Sequence, residues 1–221
     1  MIKIKNYDKE KQKLSFVADI PISLANAIRR SALEIPVMAI DEVEIVKNDS
    51  ALYDEVLAHR LGLIPIKTDK TSKEQKFKLK EIGPKTVCSD DIKPSIGTPF
   101  KIPIVILDKE QEIAVVCGAR LGKGVEHIKY SPGLVYYRHN IPEEILDFVC
   151  IDENGAVSFD EQELESKGLT EEQVKKIKGV KEINESEFNI ESWGQIDVKE
   201  IFPRAIDALD DNLKELEKAV K

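Results

Sequence analysis

The stretch Gly118-Ala119-Arg120-Leu121-Gly122-Lys123-Gly124 comes nearest to a reactive-site motif in this 221-residue chain. Glycines beside a lysine can fold backbone N–H groups around a phosphate, but the phosphate-binding loop also needs a glycine five residues ahead of its Gly-Lys pair and a hydroxyl after the lysine to hold Mg²⁺. Those two positions are Cys117 and Gly124. A basic surface loop is therefore the better account, and a nucleotide-handling enzyme is the competing one. His59, His127 and His139 stand outside any His-Glu-x-x-His pattern and beside no cysteine pair, so zinc chemistry has no visible ligand set. Cys88, Cys117 and Cys150 are spread along the chain without a Cys-x-x-Cys pair. That usage suits small packed side chains in a reducing compartment. With no Gly-x-Ser-x-Gly elbow and with carboxylates lying mostly in charge-mixed segments, no enzyme class gains support, and no catalytic residue, cofactor site or metal site is assigned.

Composition narrows the classes further. With 42% hydrophobic and 33% charged residues, the chain can bury one large or two small cores. A net charge of −8 argues against a surface built to grip phosphate backbones, so any DNA contact should be local or indirect. The opening Met1-Ile2-Lys3-Ile4-Lys5 lacks the apolar run of an export signal. The apolar runs at 102–107 and 113–119 fall far short of the ~20 residues that span a bilayer. A cytoplasmic, membrane-free protein is expected.

The elements that would position these residues read as follows. Ile2 and Ile4 open a strand, Asn6 to Gln12 supply a turn, and Leu14, Phe16 and Ala18 alternate in a second strand. Ser23 is a candidate N-cap for a helix to Ile35. On it Leu24, Ala27, Ile28, Ser31, Ala32 and Ile35 share one face, Asn26, Arg29, Arg30 and Glu34 crowd the other, and Pro36 ends it. A strand over 37–46 precedes a short helix from Leu52 to Gly62. Residues 67–98 look polar and turn-rich. Strands are expected over 100–107, marked as edge or bulged by Pro103, and over 112–119. Asn154-Gly155 signals a hairpin, and residues 160–187 read as an acidic, surface-lying helical insertion with a capping box at Thr170 to Gln173.

Near the C-terminus, Phe202, Ala205, Ile206, Leu209, Leu213, Leu216 and Val220 recur every three or four residues. Asp197 and Glu200 are a candidate capping pair, and Pro203 should cost a hydrogen bond and bend the helix. Burying five such side chains at ~1.5–3 kcal/mol each gains on the order of 10 kcal/mol, so the stripe must pack on something. That something is either this chain's own sheet or another chain, and a homodimeric adaptor is one form of the second case.

Several segments carry a resemblance. Leu24-Ala25-Asn26-Ala27-Ile28-Arg29-Arg30 followed by Pro36-Val37-Met38-Ala39-Ile40-Asp41 resembles the first helix and strand of the α-like subunits of multisubunit RNA polymerases. His59-Arg60-Leu61-Gly62-Leu63-Ile64-Pro65-Ile66, then Ala119 to Pro132, then Phe188 to Gln195 running into the terminal helix, are similar, in the same order, to the larger α-like subunit of archaeal DNA-directed RNA polymerases, called D.

The resemblance implies an α+β fold with a discontinuous dimerisation domain, residues 1–40 and 194–221. Into it is inserted a mainly β domain, residues 41–159 and 188–193, with residues 160–187 replacing a ferredoxin-like module. It implies a non-catalytic scaffold that pairs with the smaller α-like subunit, called L in archaea. Leu24, Ile28, Phe202, Ile206, Leu209, Leu213 and Leu216 would form that interface. Asn26, Arg29, Arg30, His59, Arg60, Arg120, Lys123 and His127 would face the large catalytic subunits and the small subunits N and P. Many archaeal relatives carry an iron–sulfur cluster in the insertion. Residues 160–187 contain no cysteine and a complete site needs four thiolates, so no cluster is expected.

Overall fold

The computed structural model describes residues 2–140, 149–151, 157–159 and 185–221. Two hydrophobic cores organise them. The first lies on a four-stranded antiparallel sheet built from β1 (Ile2–Asp8), β2 (Lys13–Asp19), β8 (Gly133–His139) and β11 (Glu185–Ser192), in the order β1-β2-β11-β8. Residues directly opposite one another share a face, so the pairings Phe16↔Phe188 and Phe188↔Tyr137 put three rings in one row. Two helices cover this face: α1 (Ile22–Ser31), and α3 (Val198–Val220) at the C-terminus. Phe202 of α3 sits edge-on to Phe16 at 4.7 Å and to Phe188 at 5.2 Å, while Phe16 and Phe188 stack at 5.3 Å. Ala25, Ile28, Ile201 and Ala205 fill the space around the rings.

The second core lies beneath a three-stranded antiparallel sheet of β3 (Val37–Asn48), β7 (Glu112–Gly122) and β4 (Gln75–Ile82), in the order β3-β7-β4. Ile113, Val115, Cys117 and Ala119 of β7 point inward with Phe77 and Leu79 of β4, and meet Leu57 and Leu61 of α2 (Asp54–Gly62). A two-stranded sheet of β5 (Lys85–Cys88) and β6 (Pro103–Leu107) adds Val87, Ile104 and Leu107 to the same core. β3 bridges the two cores, with Val37 in the first and Met38 and Ile40 in the second. Thr68 pins the junction by accepting from the Met38 N–H at 3.0 Å while its own N–H donates to Gln195 O at 2.7 Å.

Several expectations are redrawn. α1 is capped by Pro21, and Ser23 lies inside its first turn, where the Ala25 N–H already donates to Pro21 O at 2.9 Å. A 3₁₀ turn at Ala32–Glu34 completes the stretch. Residues 67–98 hold β4 and β5, because Phe77 and Leu79 alternate with Lys76, Lys78 and Lys80, a two-residue period that lysine density masks. β8 had no clear signal. Residues 188–193 sit in or beside β11, and Phe188 and Ile190 pack in the first core, so the sheet assigns them to the terminal unit that the sequence reading began only at 194. The strands at 103–107 and 112–122 part company, β6 to β5 and β7 to the centre of its own sheet, and β6 is indeed an edge strand with an irregular register opposite Pro103. β9 (Cys150–Ile151) and β10 (Val157–Ser158) pair antiparallel around the expected Asn154-Gly155 turn, which itself lies outside the described residues. So does the acidic insertion, except that residues 185–187 open β11. Cys88 and Cys117 are buried as expected, but Cys150 is exposed.

Candidate subunit interface

α3 begins as the capping reading anticipates, with the Asp197 side chain accepting from the Lys199 N–H at 2.9 Å. Glu200 does not complete a box, because its carboxylate pairs with Arg204 one turn on. The helix runs through Pro203, which lacks the N–H that would reach the Lys199 carbonyl. Its apolar stripe then divides in two. Ile201 and Ala205 are buried on the first core, and Phe202 and Leu209 are half-buried against it. From Asp210 onward every residue is exposed, and Leu213, Leu216 and Val220 are 56%, 60% and 80% accessible. Three turns of helix with no neighbour among the described residues are marginal in water, since helices shorter than ~12–15 residues depend on tertiary packing.

The bare half of the stripe continues onto other elements. Leu24 on α1 and Ile206 on α3 are both about two-fifths exposed, whereas Ile28 is buried between the helices and the sheet. Of the interface residues expected from the sequence, five therefore present surface or line it, and Ile28 and Phe202 serve mainly this chain's own packing. Ile2 and Ile4 add to this bare apolar surface, although the sequence pattern marked them only as an opening strand. Their Cα partners are Ala18 and Phe16, so they share the helix-covered face of the sheet, yet they lie at its rim and stay 60% and 67% exposed. Their alternation with Lys3 and Lys5 was the available signal, since an edge strand facing water on both sides does not call for isoleucine.

The second group of expected residues is divided by geometry. The Arg29 guanidinium donates to Asn26 Oδ1 at 2.9 and 3.1 Å, which orders both half-buried side chains beside the exposed Arg30. Arg60 donates to the Pro103 carbonyl at 2.9 Å, and His59 is exposed beside it. The loop after β7 is held by an ionic knot that the sequence reading did not find. Asp41 accepts from Lys129 Nζ at 2.6 Å, Arg120 Nε at 2.7 Å and Tyr130 Oη at 2.9 Å. Arg120 also reaches Glu126 at 3.2 Å, and Lys123 pairs with Glu34 at 3.0 Å. The tip so fixed presents Val125, His127 and Ile128 to solvent.

These contacts bear on chemistry. Lys123 is neutralised by Glu34 and its backbone N–H is taken by Glu126 at 3.2 Å, so carboxylates occupy the donors a phosphate would need. Burial pushes the Cys117 thiol up to about 11, which keeps it protonated and unreactive. Tyr130 is pushed up to about 12, first by burial and then by its hydrogen bond to the Asp41 carboxylate. Asp41 itself is held well below the usual carboxylate range, chiefly by the Lys129 and Arg120 hydrogen bonds. An acid so placed is a strut, since three hydrogen bonds hold its carboxylate in the ionised form and leave it a weak base.

A depressed folded-state pKa contributes stability that is present above the unfolded value and is lost as pH falls toward the folded one. Replacing Asp41→Asn is expected to cost on the order of 1 kcal/mol at neutral pH after solvent screening. The gap between wild type and variant should narrow progressively as the pH is taken from about 5 to about 2, as read by urea unfolding along that series. A gap that stays constant with pH would show that the carboxylate charge is not what holds the loop.

A protein-family model described as the RNA polymerase Rpb3/Rpb11 dimerisation domain matches residues 16–213. Among curated proteins, the chain is 40% identical over 156 residues to DNA-directed RNA polymerase subunit Rpo3 of Pyrococcus horikoshii, covering 63% of this chain and 60% of that relative. To the Rpo3 subunit of Methanocaldococcus jannaschii it is 42% identical over 156 residues, 67% of this chain and 82% of the relative. The Rpo3 subunit of Halobacterium salinarum aligns over 97% of this chain and 95% of its own length at 30% identity. The chain thus spans 60% of the length of the Pyrococcus relative and nearly the whole of the Halobacterium one.

Proposed function

Because the chain belongs to the RNA polymerase Rpb3/Rpb11 dimerisation-domain family, we propose that it is an assembly subunit of a DNA-dependent RNA polymerase, the counterpart of the larger α-like subunit of the archaeal enzymes, with no catalytic groups of its own. One observation carries this reading: α3 leaves its own core after Leu209 with an apolar stripe bare for three turns. Such a ridge suits the matching helices of a smaller α-like subunit, L in archaeal nomenclature, with Leu24, Ile206, Leu209, Leu213 and Leu216 at the contact and Ile28 and Phe202 supporting them from beneath. Ile2 and Ile4 extend the same surface.

Asn26, Arg29, Arg30, His59, Arg60 and the tip around His127 would meet the large catalytic subunits and the small subunits N and P. Arg120 and Lys123 act one step back, by fixing that tip. Fork-like Arg contacts beside apolar tips are typical of protein interfaces, and at a net charge of −8 any approach to DNA is indirect. A cytoplasmic location follows from this role. No iron–sulfur cluster is part of it, because the chain has three cysteines, two of them buried in the second core or its margin, and a cluster needs four thiolates.

Expressed alone, the chain should self-associate through the bare stripe. Co-expressed with the smaller subunit, it should elute as a 1:1 complex by size exclusion with light scattering. A well-behaved monomer indifferent to that partner would refute the reading.

A further inference from the structure

The outer face of the β3-β7-β4 sheet has a design that its own fold does not require. Cross-strand register places Glu42, Gly118 and Lys76 in one row and Glu44, Val116 and Lys78 in the next. The result is a gutter: a floor of short side chains on β7, Ala114, Val116 and Gly118, between an acidic rail on β3 and a lysine rail on β4. At the far end Lys47 and Lys80 share Glu112. Along the gutter Glu42, Glu44, Lys76 and Lys78 are exposed and enter no ion pair among the described residues.

Gly118 is the second, independent observation. Glycine in mid-strand gives up conformational entropy and side-chain packing, and it commonly marks a place where another backbone comes close. Other glycines here have an internal reason. A Cβ at Gly122 would lie 2.7 Å from the Tyr130 ring, and one at Gly133 would lie 2.1 Å from the Glu191 carbonyl. At Gly118 the nearest atoms, on Glu42, are 3.9 Å away and the backbone is not left-handed. Nothing among the described residues needs that residue to be small.

We propose that this face seats one helix of another subunit of the assembly, with small side chains over Gly118, a basic flank toward Glu42 and Glu44, and an acidic flank toward Lys76 and Lys78. The inference rests on the assembly reading above. The rails stand two strand spacings apart, about 9–10 Å, which fits the ~10 Å girth of a helix. A strand laid on the face would leave its own backbone groups unpaired, whereas a helix satisfies them internally. The acidic rail repels a phosphate backbone, which rules against nucleic acid. At its Arg120 end the gutter opens into a hollow of about 470 Å³ lined by Asp41, Glu42, Lys76, Gly118 and Arg120. The occupant therefore reaches the ionic knot and is continuous with the docking tip beyond it.

The test is polymerase reconstituted from its recombinant subunits, with native mass spectrometry across a salt series. Three variants are compared with wild type: Gly118→Tyr, which plugs the floor; Lys76→Glu with Lys78→Glu; and Glu42→Lys with Glu44→Lys. Each should weaken retention of the same one subunit by about tenfold or more, as loss of close charge pairs or closest approach does, while pairing through α1 and α3 stays at the wild-type level. If Gly118→Tyr alone lowers the melting temperature of the isolated chain, the two charge reversals decide. Wild-type composition and salt stability in both reversals overturns the proposal. A benzophenone cross-linker at Val116 that captures a non-helical segment or nucleic acid overturns the occupant. A wild-type chain that enters no polymerase at all instead refutes the underlying assembly reading.

Discussion

Replacing Leu213 and Leu216 together with glutamate is expected to weaken the proposed pairing with the smaller α-like subunit by on the order of a hundredfold or more, while the chain alone, diluted until it is monomeric, melts at an unchanged temperature. Both side chains lie beyond the last residue of α3 that touches its own core, and both are more than half exposed. A fully buried leucine is worth ~1.5–3 kcal/mol. Covering the exposed parts of two of them accounts for the ~2.7 kcal/mol that a hundredfold represents, before any cost of driving two carboxylates into an apolar seam. Glutamate is a good helix former, and surface changes away from packed features fall within about 0.5 kcal/mol, so α3 should persist. Titration calorimetry or competition with labelled wild type reads the affinity, and thermal melting of the isolated chain reads the fold. Wild-type affinity in this variant would mean that the partner does not sit on the outer half of α3.

That variant could be chosen because the α3 stripe was legible in the sequence as a three-and-four spacing. What the sequence left open was which turns it would cover at home, and the reason is geometric. The sheet beneath is four strands wide, and only a chain already folded shows that its support ends near Leu209. The β1–β2 hairpin was legible for the same reason, since Leu14, Phe16 and Ala18 alternate along a half-buried strand. β4 was not, because four of its eight residues are charged and Gln75 adds another polar side chain, so that composition outweighed period. The membership of β11 in the first sheet depends on pairing with β2 across more than 160 residues of chain, which no local signal encodes. Asp41 stood inside a segment whose resemblance was noted, yet its role was invisible: Arg120, Lys129 and Tyr130 lie 79, 88 and 89 residues further on. The register sets Lys76 across Gly118 from Glu42 and Lys78 across Val116 from Glu44, a relation between strands that no local signal encodes.

A second loss of pairing should have a different cause. Phe188→Ala is expected to destabilise the chain by ~3–5 kcal/mol, the range for deleting a buried aromatic ring and leaving a cavity. Phe188 is fully buried, stacks on Phe16, and receives Phe202 edge-on and Tyr137 at 5.8 Å. These rings fasten α3 to the sheet, so their loss frees the helix that carries the proposed interface without touching the proposed contact residues beyond Leu209. For a domain of this size each kcal/mol lowers the melting temperature by ~2–4 °C, giving a fall of roughly 6–20 °C. Binding of the partner to the folded form alone pulls the equilibrium back, so excess smaller subunit should restore the Phe188→Ala complex and raise its melting temperature. No such rescue is available to the Leu213/Leu216 pair, whose fold is intact and whose contact is gone. Should Phe188→Ala melt like wild type yet fail to pair even at saturating partner, then the aromatic cluster would be part of the interface, and the division of α3 into a seated half and a bare half would be wrong.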